Sequence, residues 1–400
     1  MVRALWLIGL AAGVLSAQDR AAISVPPSVR IGEGEAREFA FSRISGLGLD
    51  TNGYLYVSDA QEDRVDVFAL DGRHLATIGR RGQGPGEFRY PTSLAISPAG
   101  DLLVRDQSRL QRFTRPEASS PATRFVAVVT ALGMYDWMSQ RAGVIDRDGT
   151  FHAPRSYSTG RSDVQTHHQM IVRIAPDGAA RDSLVAPQYP DQPAPYARVM
   201  LSASSGRMLN GLGYAPFSPI RIWASTVRGT IISGDARSYL LVETDGRGRE
   251  LRRFARAWTP VAIDAQERRD SLRAMRGRLD SIPVPLSEVQ GMSNEVRAGR
   301  LPEVYPAYRE LAVSAEGVLW VRRWSRAGER GRSVFDIFDE EARFLGTLAV
   351  SAELRADPVL VIRGGYAAGV ESDPETGLER IVRFTVPAAF RGETRSPSRP

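Results

Sequence analysis

Six residues at one repeated position of the sequence carry side chains that could bind a ligand. Each stands six residues after a recurring glycine, and together they are Asp59, Asp106, Arg155, Asp235, Arg323 and Glu371. Carboxylate oxygens are the ligands that calcium prefers, so the four acids could hold a cation. With the two arginines, the set could instead hold a zwitterion. The competing interpretation is structural, because short Asp side chains commonly accept hydrogen bonds from backbone amides in loops.

No other pattern in the sequence indicates a specific reaction. The chain has no cysteine, and all 52 of its basic residues are arginine, which excludes thiolate nucleophiles and Schiff-base lysines. The adjacent His167 and His168 point opposite ways on an extended chain and do not chelate one ion. The strings that begin at Asp50 and Asp146 imitate calcium loops, but they lack the closing Glu and predict hairpin turns. The sequence therefore predicts no catalytic residue and no cofactor, with calcium as the one candidate ion.

The glycines that define these positions belong to six repeats. They are Gly53, Gly100, Gly149, Gly229, Gly317 and Gly365, at steps of 47, 49, 80, 88 and 48 residues. An apolar strand precedes and follows each glycine, a second pair of strands follows in most copies, and the period is typical of a propeller blade. We predict an all-β fold over residues 18–390, a six-bladed β-propeller of four-stranded blades. Val25 to Ile31 should supply the last strand of blade six.

Two long insertions should lie on the same face of the propeller as the six candidate residues. In a four-stranded antiparallel blade, the connections between the second and third strands and those between blades share one face. Residues 186–217 and 262–306 form such connections on either side of blade four. We expect them to form a lid over blades three to five, with Tyr196 and Tyr214 as further ligand-binding residues.

The second insertion contains a helical pattern between blades four and five. Asp264 and Glu267 have the spacing of a capping box, and apolar residues then recur at helical spacing until Pro283. This predicts a helix that packs onto the propeller. Ser287 and Gln290 suggest a second short helix.

The chain resembles a known group of propellers around its first two blades. The segment Ile78 to Phe88 (IGRRGQGPGEF), followed by Tyr90-Pro91 and the strand pair around Gly100, looks like NHL-type repeats and the bacterial six-bladed β-propeller family with the same glycine-rich loop. The resemblance implies the fold and a binding or scaffold role. It implies no single activity, since related propellers include lactonases, lyases and plain binding modules. The loop leads into a strand and has no lysine, so we interpret it as structural and not as a phosphate-binding loop.

The two ends of the chain predict export and a tail. Residues 1–17 contain a positive charge, a 12-residue apolar run from Ala4 to Leu15 and small residues before Gln18, which is the form of a signal peptide. The mature protein should be periplasmic or extracellular, without a membrane span, and a monomer. Residues 391–400 should be a disordered tail.

These features favour an exported binding module without catalytic activity. Its partner would be a small molecule, a glycan or a protein, and nucleic acid is not expected for an exported protein. The alternative is a metal-dependent lactonase- or lyase-like enzyme with its site in the central channel, and a scaffold for a partner protein is a third candidate. Arg155 and Arg323, the two arginines among the six candidate residues, would repel a cation. This weakens the enzyme interpretation.

Overall fold

Six antiparallel sheets of four strands each form a β-propeller, as the repeats predict. The computed structural model describes residues 21–32, 40–106, 109–114, 124–131, 143–161, 164–185, 200–202, 208–209, 216–219, 221–280, 289–290, 301–373 and 376–392. The predicted signal peptide, Tyr196 and Tyr214 lie outside these residues.

The strands follow one another along the chain, blade by blade. Two short strands come first: β1 (Ile23–Val25) and β2 (Val29–Ile31). Blade one consists of β3 (Ile44–Leu49), β4 (Leu55–Asp59), β5 (Arg64–Phe68) and β6 (His74–Ile78). Blade two consists of β7 (Pro91–Ile96), β8 (Leu102–Asp106), β9 (Arg109–Phe113) and β10 (Phe125–Ala131). Blade three consists of β11 (Val144–Ile145), β12 (Phe151–Arg161), β13 (Val164–Ile174) and β14 (Ala180–Val185).

The remaining blades are separated by the two insertions. The first insertion contributes β15 (Met200–Ser202) and β16 (Met208–Leu209). Blade four consists of β17 (Arg221–Ser225), β18 (Ile231–Asp235), β19 (Leu240–Thr244) and β20 (Glu250–Ala255). The second insertion contributes α1 (Ala265–Asp280) and β21 (Val289–Gln290). Blade five consists of β22 (Tyr308–Val313), β23 (Leu319–Arg323), β24 (Ser333–Phe338) and β25 (Phe344–Val350). Blade six consists of β26 (Val361–Arg363), β27 (Tyr366–Ser372), β28 (Glu379–Thr385) and β2.

The hairpins between the first and second strands of blades one to five share one turn chemistry. Gly53 has a φ of 82°, which suits glycine, and its N–H donates to the carbonyl of Asp50 at 3.2 Å. One carboxylate oxygen of Asp50 accepts the N–H groups of Asn52 and Tyr54, both at 2.9 Å. The side-chain oxygens of the corresponding residues accept backbone N–H groups in the same way; these residues are Ser97, Asp146, Thr226 and Ser314. The calcium-like strings are therefore hairpin turns.

The ring closes through β2, and the predicted closing segment needs one correction. Strand β2 pairs antiparallel with β28, with Ile31 opposite Ile381. Strand β1 instead pairs parallel with β25, so Val25 lies in blade five as part of a fifth strand. Pro26 and Pro27 separate the two strands, because proline lacks the N–H that a ladder needs and cannot continue it. Closure of blade six thus falls to Val29–Ile31 alone.

The apolar core is divided among the interfaces between neighbouring blades. Between blades five and six, the ring of Trp320 lies 5.5 Å from that of Phe335 and 6.4 Å from that of Phe384. Phe390, in a short 3₁₀ turn after the last blade, joins the same cluster. Each blade is therefore fixed mainly by its two neighbours.

The helix in the second insertion begins where the sequence predicts. Asp264 accepts the N–H groups of Gln266 at 2.7 Å and Glu267 at 3.2 Å, so it caps α1. Glu267 does not complete a capping box, because its carboxylate accepts a hydrogen bond from the hydroxyl of Tyr305. This bond ties the helix to the segment that enters blade five.

No helix in the described part of the chain has the length and apolar character to cross a membrane.

The prediction of a second short helix is wrong at Gln290, which lies in a strand. Val289–Gln290 is the strand β21, which pairs with β15, and β15 pairs with β16. Pairing with the first insertion satisfies backbone groups that an isolated helical turn would leave open. The two insertions therefore share one small sheet, while their role as a lid stays a prediction. Ser287 lies outside the described residues.

The segment that carries His167 and His168 is a β-hairpin. Strands β12 and β13 pair over their whole length, and Ser158 stands opposite His167. Polar residues follow one another in most of this segment, so its sequence lacks the apolar–polar alternation typical of a strand.

Candidate functional site

The six repeated positions lie toward one end of the second strands. We call the side with the glycine turns the turn face. The opposite side, with the connections between second and third strands and between blades, is the loop face. Asp59, Asp106, Asp235 and Arg323 are the last residues of their strands at the loop face. The other two, Arg155 and Glu371, lie within the longer strands β12 and β27.

Asp59 and Asp106 are buried, and backbone groups occupy their oxygens. The carboxylate of Asp59 accepts the N–H groups of Ser42 at 2.7 Å and Arg43 at 3.0 Å, just before the first strand of blade one. Asp106 accepts the N–H of Arg89 at 2.7 Å and a guanidinium N–H of Arg109 at 2.5 Å. Burial raises the pKa of Asp106, although the hydrogen bonds from Arg109 and Arg89 act to lower it. Both residues therefore anchor the chain as it enters a blade.

The other repeated positions differ in their surroundings. Asp235 accepts the backbone N–H of Arg237 at 2.9 Å, and Glu371 accepts a hydrogen bond from Arg30 of the closing strand at 2.9 Å. Arg323 donates two hydrogen bonds to Asp336, at 2.9 and 2.8 Å. For Arg155 the structure describes the backbone alone. A ligand-binding role for these residues stays a prediction. The contacts that the structure describes for them are hydrogen bonds within the protein, which indicate structural roles.

Replacing Asp59 with Ala should lower the free energy of unfolding by about 2 kcal/mol, because buried N–H groups lose their acceptor. The matched variant is Asp235→Ala, at the same repeat position, whose carboxylate is tied to Arg237 two residues along the chain. It should melt close to wild type. Urea unfolding of both variants measures the difference. Equal stability of the two variants would contradict a structural role for Asp59.

The innermost strands of three blades carry a β-bulge near the loop face. Pairing shifts by one residue at the second position of β3, β7 and β22, so that Ser45, Thr92 and Arg309 are bulged. Bulges re-aim side chains and are common beside binding sites. Ser45 donates to the carbonyl of Pro91 at 2.5 Å and joins blades one and two. The hydroxyl of Thr92 is buried and has no hydrogen-bond partner among the described residues.

The third bulged residue, Arg309, stacks on an aromatic cluster. Its guanidinium carbon lies 5.2 Å from the ring centroid of Trp324, within the range of a cation–π contact. The ring of Phe217 lies 6.0 Å from Trp324 and 5.7 Å from Tyr305. We call Phe217, Tyr305 and Trp324 the aromatic cluster. Arg309 and Trp324 are half-buried on the loop face of blade five, whereas Phe217 and Tyr305 are buried.

The two insertions place the aromatic cluster. Phe217 lies at the end of the first insertion and Tyr305 near the end of the second, so both insertions return to the propeller at this point. Phe217 has a φ of 61°, a backbone conformation that non-glycine residues rarely adopt. The hydroxyl of Tyr305 is held by Glu267 of α1. The cluster is thus built from segments whose lengths set this part of the propeller apart from the regular repeat.

Arg309 carries a positive charge without an ion pair among the described residues. Burial, and then the charge of Arg322, lowers the pKa of Arg309 to about 10, so the group remains charged at neutral pH. The adjacent Glu310 is buried and engaged by Arg322 at 3.1 Å. Beside the cluster, the hydroxyl of Ser325 is buried and lacks a hydrogen-bond partner in the described part of the chain. The charges of Glu310 and Glu353 favour the charged guanidinium, but neither carboxylate forms an ion pair with it among the described residues, so the site can accept an anion.

The residues described here do not assemble a metal centre. No group of three or more His, Asp or Glu side chains among them is placed to hold a metal ion. His152 is buried, and its Nε2 lies 3.0 Å from the carboxylate of Asp146 in a hairpin turn. The glycine-rich loop also has internal contacts: Gly84 donates its N–H to Glu87 at 2.9 Å, and Phe88 is fully buried. These contacts support its interpretation as a structural loop.

Comparison with known proteins supports the architecture. Residues 36–110 match a family model described as a 6-bladed beta-propeller. The label of NHL repeats stays a resemblance. No curated protein sequence matches the chain significantly.

Solved propeller structures are similar to the chain at low identity. A calcium-binding regucalcin from Agrobacterium tumefaciens is 13% identical, with 92% of this chain and 97% of that chain covered and a TM-score of 0.36. Virginiamycin B lyase from Staphylococcus aureus is 10% identical, with 87% and 98% covered and a TM-score of 0.38. The PQQ-bound aldose sugar dehydrogenase of Streptomyces coelicolor is 14% identical, with 86% and 95% covered and a TM-score of 0.40. Nothing about activity follows from similarities of this size.

Sequence reasoning did not single out Arg309 and Trp324. Arg309 lies in the first strand of blade five and Trp324 follows the second, but an arginine and a tryptophan on an arginine-rich chain give no distinct signal. Their association depends on the bulge and on the ends of the insertions. The one usable signal was that Phe217 and Tyr305 are aromatic residues at the ends of two long insertions.

Proposed function

We propose that this protein is a binding module of an extracytoplasmic compartment that takes a small ligand with a carboxylate on an aromatic or apolar body. Arg309 is the anchor for the carboxylate, and the half-buried ring of Trp324, packed against the buried Phe217, receives the body. The observation that carries the proposal is the half-buried guanidinium of Arg309, stacked on Trp324 and without a described ion-pair partner. Export is part of the proposal and is supported by the signal-like residues 1–17.

The chemistry of the site favours a monocarboxylate. A planar guanidinium presents a fork of N–H groups that matches a carboxylate with two parallel hydrogen bonds. One cation balances one negative charge, whereas a phosphate group would call for a second cation at the site. The half-buried ring of Trp324 offers apolar area and edge-to-face contacts to an aromatic body, and the buried ring of Phe217 packs against it. A binding role is also consistent with the place of this site, where two long insertions meet the propeller.

The test compares phenylacetate with its uncharged amide, phenylacetamide. Phenylacetate should raise the melting temperature of the full chain, and the amide should not, because it lacks the charge that Arg309 would pair with. Arg309→Gln should weaken phenylacetate binding at least about tenfold, the value of a lost charged hydrogen bond. Calorimetric titration gives the affinity of each variant.

The control is Arg330→Gln, because Arg330 is an exposed arginine on the same blade. This variant should bind phenylacetate as wild type does. The proposal fails if Arg309→Gln keeps wild-type affinity, or if acid and amide bind equally well. Circular dichroism confirms that each variant is folded before binding is compared.

A further inference from the structure

A pocket opens between blades two and three on the turn face, away from the Arg309 site. Its volume is about 270 Å³. The walls are mainly apolar and include Pro98, Leu103, Val129, Phe151, Ile174 and Pro176. Small-molecule pockets begin at roughly 300 Å³, so this volume suits a ligand at the small end of that range.

The corresponding place between blades four and five is filled. The space there is about 10 Å³, and it too lies between a glycine turn and the outer strands. Phe254, Phe338 and Phe344 pack together in this interface, with neighbouring ring centroids 5.5 Å apart. Three large rings thus close the interface between these two blades.

Strand register identifies what replaces these rings between blades two and three. Leu319 pairs with Phe338, as Phe151 pairs with Ile174. Phe338 pairs in turn with Phe344, as Ile174 pairs with Ala180. The bulged Val129, from the outermost strand of blade two, lines the pocket. Phe254, from the outermost strand of blade four, lines the filled space. Ile174 and Ala180 are smaller than the phenylalanines at the equivalent positions, although Phe151 is larger than its counterpart Leu319. The smaller side chains leave the pocket open.

The charge at the equivalent position is also reversed. Leu103 pairs with Arg112, as Ile232 pairs with Glu243 in blade four. Glu243 is buried and accepts a hydrogen bond from Arg252 at 2.6 Å. Its counterpart is a cation at the edge of the open pocket.

Arg112 is loosely compensated. Its Nε is buried without a hydrogen-bond partner among the described residues, and it lies 3.9 Å from a carboxylate oxygen of Asp101. Its Nη1 reaches the carbonyl of Pro176 at 3.5 Å, the outer limit of a hydrogen bond. The guanidinium therefore has capacity for an additional acceptor beside an apolar space.

We infer that this pocket binds a small aliphatic monocarboxylate, with its chain between blades two and three and its carboxylate on Arg112. Burial of the chain in the apolar pocket provides most of the affinity, and the charged contact sets the orientation. The inference does not rest on the proposed function, because the pocket lies on the turn face and shares no residue with the Arg309 site.

The test uses hexanoate labelled with a trifluoromethyl group and observes it by fluorine NMR on the full chain. Val129→Phe enlarges a side chain that lines the pocket and should weaken binding at least about tenfold. Val128→Phe is the matched control, because Val128 is exposed and does not line the pocket. It should bind the probe as wild type does.

A second variant separates the charge from the cavity. Arg112→Gln should reduce the affinity for hexanoate to that for hexanol, while binding of hexanol stays unchanged. Melting curves verify that Val129→Phe folds. If it does not fold, Arg112→Gln still tests the inference, because this substitution changes a partly exposed side chain. The inference is overturned if wild type does not bind the probe, if Val129→Phe binds as Val128→Phe does, or if Arg112→Gln retains full affinity for hexanoate.

Discussion

Replacing Asp336 with Asn should lower the free energy of unfolding by about 3 kcal/mol, because two arginines would lose their common buried partner. Asp336 is fully buried in blade five and accepts hydrogen bonds from Arg323, Thr347 and Arg256, with 2.8 Å to the hydroxyl of Thr347. The hydroxyl of Tyr239 in blade four donates to it at 2.8 Å. The carboxylate therefore joins two blades, and an amide cannot balance both guanidinium charges.

Acid should remove the same contribution in the wild-type protein. Burial raises the pKa of Asp336, but the hydrogen bonds and charges of Arg323 and Arg256 outweigh it and leave the pKa below its usual value. A carboxyl group with a lowered folded pKa stabilises the protein above its unfolded pKa, and this contribution is lost as pH falls through the folded pKa. The stability difference between wild type and Asp336→Asn should therefore be full at neutral pH and shrink below about pH 4.

Glu341→Gln is the control for Asp336→Asn. Glu341 is exposed and pairs with Arg343 at 3.2 Å on the surface, where screening by solvent leaves little net stabilisation. It should unfold close to wild type at every pH. An Asp336→Asn variant as stable as Glu341→Gln at neutral pH would show that the buried carboxylate does not hold blades four and five together.

Ile31→Asp should destabilise the protein by more than about 3 kcal/mol, because it places a charge in the closing interface. Ile31 is 6% exposed and packs with Phe41 and Ile381 where blades six and one meet. Strand β2 is the outer strand of blade six, so loss of its packing reopens the ring. Urea unfolding followed by circular dichroism measures the change.

The comparison variant for the closure is Ile23→Asp. Ile23 is 44% exposed on β1, which adds a fifth strand to blade five without closing the propeller. This variant should retain most of its stability. If it is as destabilised as Ile31→Asp, the parallel strand contributes as much as the closing strand, and our account of closure is incorrect.

Local repetition made the fold predictable from sequence. Each anchoring glycine forms a turn whose chemistry lies within five residues, as in the hairpin from Asp50 to Tyr54. Because a hairpin around an anchoring glycine recurs six times, blade number and strand order follow from the sequence. Pairing between distant segments was harder to predict: the parallel partner of β1 is about 320 residues away, and the pairing of β21 with β15 joins two separate insertions.

The candidate sites depend on features that no local pattern records. Arg309 is distinguished by a bulge and by the lack of a described ion pair, and both are consequences of tertiary packing. The repeat position that held Asp59 did identify buried acids, but it could not tell whether ligand or backbone would occupy their oxygens. The open pocket could have been suspected from sequence, since an alignment of the repeats sets Ala180 against Phe344.

In the proposed complex, Arg309 pairs with the carboxylate of a ligand on the loop face. The most direct measurement is a calorimetric cycle that combines two ligands, phenylacetate and phenylacetamide, with wild type and Arg309→Gln. We predict a coupling of at least about 1.5 kcal/mol between the carboxylate and the guanidinium, so that the preference for acid over amide is lost in the variant. An unchanged preference in Arg309→Gln would place the carboxylate elsewhere and contradict the proposal.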